Sequence, residues 1–524
     1  MSLLDNWNKN AFSIYDSEER TVLKIIEKIF NSNKEVIEEV MKKTDNTGDH
    51  KGSWQGIEKP TMSEEGLRGT VEQHIKTIAD LTNDITTLDT NVKNRFVTCY
   101  TLLDIQNAIT TGQNVFIPST VELEINTHIT VNKPIKIVVE GSIRQTKTKT
   151  CIFLVTANDV TIEGGTYYGV NADTLNLPIS YASAVILDKV NNCTIRGLKI
   201  YSCSYATGTD SGAAIYISGG KNNIIENCYI ENCFHGINTD AVFSGTVSQR
   251  NIIRKNKIVS CKYGYVMDLQ GDQYFNHIGD IVEDNIISNS LVNGLQLDDV
   301  VGGYVVKKNI VENSGQNGIV IMNRCGSGVI EDNITRNNNM CGIVINHITI
   351  GHIISNLLIR KNSIKANKTD GRQFYNVIGL TIDSNDIFDN VGNGIMNVGG
   401  TYPQKIKIIN NEIAYNHGNG IYLVDVLGGV ISNNSIYLNS NENNGVNSGV
   451  VIDRANLTTA NIFIDHNIFW GEGGESQKYC IDVKASSYDF IVVTNNQLQG
   501  AITGGIQHSG SVKLKYNNGV SDLN

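Results

Sequence analysis

One phrase, written three times in succession, restricts what this chain can fold into. It occupies Ile225–Asp240, Ile253–Asp268 and Val282–Asp298. Each copy leads from a short apolar segment through an Asn to a Gly, and a second apolar segment then ends on an Asp. The three terminal aspartates each stand four residues after their glycine. A phrase that returns at this interval marks a repeat architecture, in which each unit packs on its neighbours. Stacking the units predicts a column of aspartates.

The repeat extends well beyond three copies. Marker asparagines recur at Asn227, Asn256, Asn285, Asn309, Asn333, Asn362, Asn385, Asn411, Asn434, Asn467 and Asn496. Their spacing varies while the internal phrasing holds, so constant strands are expected with variable loops. A helical repeat would keep its length better and would not set so many β-branched residues beside Asn and Gly. Each unit suffices for three short strands and three bends. The expected fold class is therefore an all-β main domain, a parallel β-helix, with coils roughly 4.8 Å apart. In that frame the marker asparagines hold bends and take no part in chemistry. Longer insertions at 241–249, 270–279, 367–375, 440–447 and 471–478 are expected to wall a groove, and such loops often carry binding residues.

Size and charge narrow the partners. A 524-residue chain exceeds an ordinary single core, which a repeat protein does not need. The formal net charge is −10, with Lys and Arg scattered, so no nucleic-acid partner is expected. No apolar run is long enough for membrane insertion, and the N-terminus lacks the apolar stretch of a signal peptide. Synthesis in a cytoplasm is expected; a protein of this kind that acts outside would leave by another route, such as a virion or lysis. The ten cysteines contain no Cys-x-x-Cys pair. Cys203, Cys233 and Cys261 fall at one point of successive repeats, which reads as a ladder of small buried thiols.

Before the repeats the pattern is helical. Residues 1–66 read as a helical region and a polar linker. Residues 67–97 read as a coiled-coil helix, with a seam of Val71, Ile75, Ile78, Leu81, Ile85, Leu88 and Val92. That seam is expected to tie subunits together. Residues 98–515 form the β-helix and 516–524 a short tail. Leu102–Ile109 reads as a two-turn amphipathic helix able to cover the open end of the stack.

Asp104-Ile-Gln-Asn-Ala-Ile109, Val115-Phe-Ile-Pro118 and the repeated Asn-x-Ile and Gly-Ile-x-Leu phrases resemble the pectin-lyase-like right-handed β-helix superfamily. That superfamily holds lyases, hydrolases, epimerases and non-catalytic binders, so the resemblance implies a fold more than a chemistry. His50-Lys-Gly-Ser-Trp-Gln-Gly56 and Ser63-Glu-Glu-Gly-Leu67 are similar to virion-attachment segments of phage tail or appendage proteins. Together they imply a phage tailspike or appendage protein. Such a protein would be a homotrimer joined to other virion tail proteins, acting from the tail or baseplate at the host cell surface. It would bind, and often cleave, a host surface polysaccharide or teichoic acid.

The chemistry is expected in the aspartate column. Asp240, Asp268 and Asp298 stand on consecutive coils, with Asp299 beside them; the later coils offer Met322, Asn346, Val398 and Val424. Asp188 and Ser218 fall in the same register on the two coils before. The carboxylates thus cluster and then disappear. Like charges a few ångström apart split their pKa values, which supplies the acid and the base that glycoside hydrolysis needs. Asn238-Thr-Asp240 and Asp298-Asp299 are also similar to motifs of polygalacturonase-like hydrolases, whose Asp-Asp pair supplies the general acid and part of the base. Here the pair comes two coils on instead of one, and no Gly-His-Gly or Arg-Ile-Lys follows. A depolymerase is expected, a hydrolase before a lyase, with Asp240, Asp268, Asp298 and Asp299 as catalytic candidates. Substrate contacts are expected from Asn238, Asp272, Tyr274, His277, Asn323, Arg324 and His347. No cofactor is expected under the hydrolase reading. The lyase alternative would bind calcium in the carboxylate cluster and use Arg324 or His347 as base. A purely binding protein would instead present Tyr263, Tyr265, Tyr274, Phe275 and Trp470 as stacking platforms, and a structural virion fibre would bind no saccharide.

Overall fold

A computed structural model describes residues 96–147, 150–169, 183–203, 212–240, 248–268, 277–300, 302–346, 354–398, 404–441, 445–453, 460–471, 477–484, 489–499, 501–508 and 514–516. The expected N-terminal helices and linker, and the whole coiled-coil seam from Val71 to Val92, lie outside these residues. The expected coiled-coil helix, 67–97, is corrected only at its last residues: Phe96–Thr98 is a strand, paired parallel with Asn114–Phe116. The β-branched and aromatic residues there favour the pleated surface of the first coil.

The described chain winds through three faces. One is a sheet of fifteen strands, from Ile129–Val131 to Ala501–His508. The other two are joined into a single thirty-two-stranded sheet because Lys136–Gln145 and Thr161–Tyr168 run across the corner between them. Neighbouring coils pair in parallel register. Ile225 lies under Ile253 and Val282 on one face, Ile230 under Ile258 and Ile287 on the next, and Ile237 under Tyr265 and Leu295 on the third. All nine side chains are buried. The period-2 alternation of each short strand sends these residues inward, where each aliphatic side chain contributes about 1.5–3 kcal/mol.

Asparagine shapes the corners in two ways. Residues such as Lys255, Asp284, Lys308 and Asp332 take left-handed backbone with φ near 55°. The Asn after each faces inward and stacks on its counterparts. Asn333 Nδ2 donates to Asn362 Oδ1 at 3.0 Å, and Asn362 Nδ2 to Asn385 Oδ1 at 2.9 Å. This ladder runs from Asn256 to Asn496. Asn227 is the exception among the markers. It is itself the left-handed residue (φ 55°), and Cys228 takes the ladder place, its backbone N–H donating to Asn256 Oδ1 at 3.0 Å. Cys203, Cys233 and Cys261 are buried free thiols, and the Cys233 sulfur accepts from the Cys203 N–H. The repeat glycine has a separate cause: a Cβ on Gly318 would lie 2.6 Å from the Gly342 carbonyl oxygen and 2.8 Å from Asn338 Nδ2.

The scattered basic residues pair with acids on adjoining coils. Arg254 meets Glu226 at 2.7 Å, Lys307 meets Glu283 at 3.0 Å and Arg360 meets Glu331 at 2.6 Å, each pair in register. At the N-terminal end the helix Leu102–Thr110 packs on Asn114–Ile117 and Ile129–Val131 with Ile105, Ala108 and Ile109 buried. Thr101 and Asp104 form a capping box at its start, which satisfies otherwise unpaired N–H groups. No helix among the described residues is long and apolar enough to cross a membrane.

Candidate functional site

Every second residue of the fifteen-stranded sheet points away from the core. In the outward column that closes each strand, Asp188 pairs with Ser218, Ser218 with Asp240, and Asp240 with Asp268. Asp298 ends the next strand, Leu295–Asp298, and pairs onward with Met322 and then Asn346. The repeat phrase therefore does place its aspartates in one column, and the softer alignment of Asp188 and Ser218 holds as well.

The described side chains differ in setting. Asp240 is fully buried, and its Oδ2 accepts from the Tyr216 hydroxyl at 3.0 Å. Asn238, two residues earlier in the neighbouring outward column, is 4% exposed. Asp298 is partly buried; its Oδ1 accepts from Asn323 Nδ2 at 2.5 Å. Burial raises its carboxyl above the ordinary value despite that bond. Asp299 turns the other way, through a left-handed backbone of φ 55°. Its Oδ1 accepts from Arg324 Nε at 2.7 Å and from the Arg324 backbone N–H at 3.2 Å. The fold thus joins Asp298–Asp299 on one coil to Asn323–Arg324 on the next. One carboxyl is disposed to keep a proton, and the other is matched to a guanidinium.

Only the backbone of Asp268 is described, and only that of His277. His277 is not a loop residue: His277–Ile278 pairs with Ser248–Gln249 in a three-stranded ladder at the corner. Asp272, Tyr274, Phe275 and His347 lie outside the described residues. Tyr265 is no stacking platform. It points inward with 0% exposure, its hydroxyl 3.2 Å from that of Thr239. The remaining candidates already stack on protein rings: Tyr263 packs on His235 with centroids 5.2 Å apart, and Trp470 lies on Tyr437 at 4.1 Å.

Carboxylates do not disappear from the column. Val424 pairs with Asp453, whose Oδ2 accepts from the Tyr422 hydroxyl at 2.8 Å. Tyr422 stands to Asp453 as Tyr216 stands to Asp240: one coil back, two residues earlier in the strand. Asp453 follows Gly449 by four residues, so the spacing that marks the first three aspartates also marks this one. The two tyrosines had no such signal. His235, on the strand of Asp240, was also not singled out; burial, with a smaller effect of Lys262, pushes its imidazole down to about 3, so it is neutral near neutral pH.

A family model described as the right handed beta helix region matches residues 128–278, 183–354, 274–404 and 355–520. These matches span well over half of the chain. No curated protein matches the sequence. Among solved structures, the A-module of the Azotobacter vinelandii mannuronan C-5 epimerase AlgE6 aligns at 14% identity over 79% of this chain and 93% of that one, with a TM-score of 0.44. The Dettilon tailspike protein aligns at 14% identity over 79% and 68%, TM-score 0.39. An alginate lyase from a Paenibacillus species aligns at 14% over 57% and 95%, TM-score 0.35. At these values the likenesses say nothing about chemistry. The chain belongs to the right-handed β-helix family, and the coils are right-handed.

Proposed function

We propose that this member of the right-handed β-helix family binds a polymeric glycan along its fifteen-stranded face and cleaves it at the aspartate column. The observation that carries this reading is Asp298, a carboxyl raised by burial beside the Asp299–Arg324 ion pair and in one column with Asp268 and Asp240. A general acid must hold its proton near the working pH, and burial favours that form. Asp268, on the adjoining coil, is the second carboxyl, acting as base or nucleophile. Adjacent coils are roughly 4.8 Å apart, and side-chain splay widens that gap, so either stereochemical outcome fits. Asn323 orients Asp298. Arg324, held by Asp299, is placed to meet a substrate hydroxyl or an anionic group. Asp240, fully buried and bonded by the Tyr216 hydroxyl, fits a positioning role better than direct attack. The resemblance of the N-terminal segments to virion-attachment sequences supports the further reading of a trimeric phage tail or appendage protein. Its partners would be other tail proteins and a host surface polysaccharide or teichoic acid.

The test incubates the full chain with purified capsular polysaccharides and wall teichoic acids and follows chain length by size-exclusion chromatography. Shortened products are expected from the wild type, and a loss of at least a hundredfold in rate from Asp298→Asn and from Asp268→Asn. Cleavage at wild-type rate by Asp298→Asn overturns the assignment. A lyase would leave an unsaturated, ultraviolet-absorbing end and a calcium-dependent site would fail in chelator; the hydrolase reading expects neither.

A further inference from the structure

Among the described residues, the interior of the solenoid holds a cation, Arg372, that the aspartate column does not use. Arg372 opens the strand Arg372–Phe374 of the fifteen-stranded sheet. It lies in register between Ile343 and Ile395, in an inward column that elsewhere holds Ile237, Tyr265, Leu295, Ile319 and Ile421. Its exposure is 0%. Nε, Nη1 and Nη2 are all buried with no hydrogen-bond acceptor among the described residues. The Phe374 ring, 5.9 Å away, is the one compensating neighbour the structure records for the charge. Burial alone lowers the guanidinium from its ordinary value, to about 9, which still leaves it charged near neutral pH.

A buried charge needs an opposite charge or several dipoles, and a guanidinium offers five donors in a rigid fork. No carboxylate among the described residues is paired with the fork. A phosphate or sulfate would bring more charge and more lone pairs than one guanidinium satisfies. A monatomic anion asks for little beyond the fork itself. We propose that Arg372 holds a single halide ion inside the β-helix, as a built-in counter-ion. The site is independent of the aspartate column and does not rest on the glycan reading.

The experiment measures the thermal midpoint of the full chain against sodium bromide and sodium chloride, with ionic strength held constant by sodium sulfate. A ligand bound only by the folded state raises the midpoint with its concentration. The wild type is expected to gain several degrees over the titration and Arg372→Met none. The methionine variant should also match or exceed the wild type without halide, because it removes the unpaired charge. Equal halide dependence in both proteins overturns the proposal. Anomalous diffraction from wild-type crystals grown in bromide needs no variant. A bromide peak within hydrogen-bond reach of the guanidinium supports the site; a water there, with no anomalous signal, overturns it.

Discussion

Asp298 is subject to two opposed effects: burial disfavours its carboxylate and the Asn323 amide favours it, with burial the larger. The folded protein therefore holds this proton to higher pH than the unfolded chain does. Its contribution to stability is fully present below the ordinary carboxylate pKa and is lost as pH rises through the raised value. Asp298→Asn should accordingly raise the thermal midpoint at about pH 7 and leave it unchanged at about pH 3, below the unfolded carboxylate pKa. A midpoint-against-pH series for both proteins checks this; an offset equal at both ends would place the effect elsewhere. Arg324 is the reverse case. Its side chain and that of Asp299 are 17% and 14% exposed, so truncation leaves a poorly hydrated carboxylate without its cation. Arg324→Ala is expected to destabilise by about 1–3 kcal/mol, read from chemical denaturation, and Asp299→Asn to restore part of that loss in the double variant.

At the scale of the element, the corner is the unit that repeats. A left-handed residue turns the chain, and the Asn after it serves three coils. Asn362 receives from the Asn333 side chain and backbone, and donates to the carbonyls of Ile330 and Arg360 and to Asn385. Asn362→Ala removes these bonds and leaves buried groups unsatisfied on its neighbours, an expected loss of about 2–4 kcal/mol by chemical denaturation. Asn227→Ala should cost far less, because Asn227 lies outside the ladder and pays mainly for its left-handed backbone, about 1 kcal/mol. Equal losses at the two sites would show that the marker asparagines act alike.

Across the whole molecule, coils touch only their neighbours, so the stack has no internal signal to stop growing and each open end is a template for further strands. The helix Leu102–Thr110 closes one end with Ile105 fully buried. Ile105→Asp should lift that helix and expose the first coil. The expected outcome is concentration-dependent association in light scattering, with little change in the far-ultraviolet signal of the remaining coils. A strictly unchanged particle size would show that the helix does not guard the end.

The period, the strand positions and the aspartate register could be read from the residues, because in a parallel stack equivalent positions must fall on one another. Gly236, Gly264 and Gly294 carried that register, and Gly449 carried it to Asp453 just as clearly. What each column member does could not be read this way. Asp240 is buried and bonded by Tyr216, Asp298 is bonded by Asn323, and Asp299 is paired with Arg324. Those differences come from the coil above or below, whose residues lie some two dozen positions away in the chain. The same holds for Tyr265, expected as a stacking surface and turned inward by the winding, and for the charge of Arg372, buried in the same column. Local pattern sets which residues share a column. Only the closed tertiary stack decides how much water each one keeps, and with it the charge each one holds.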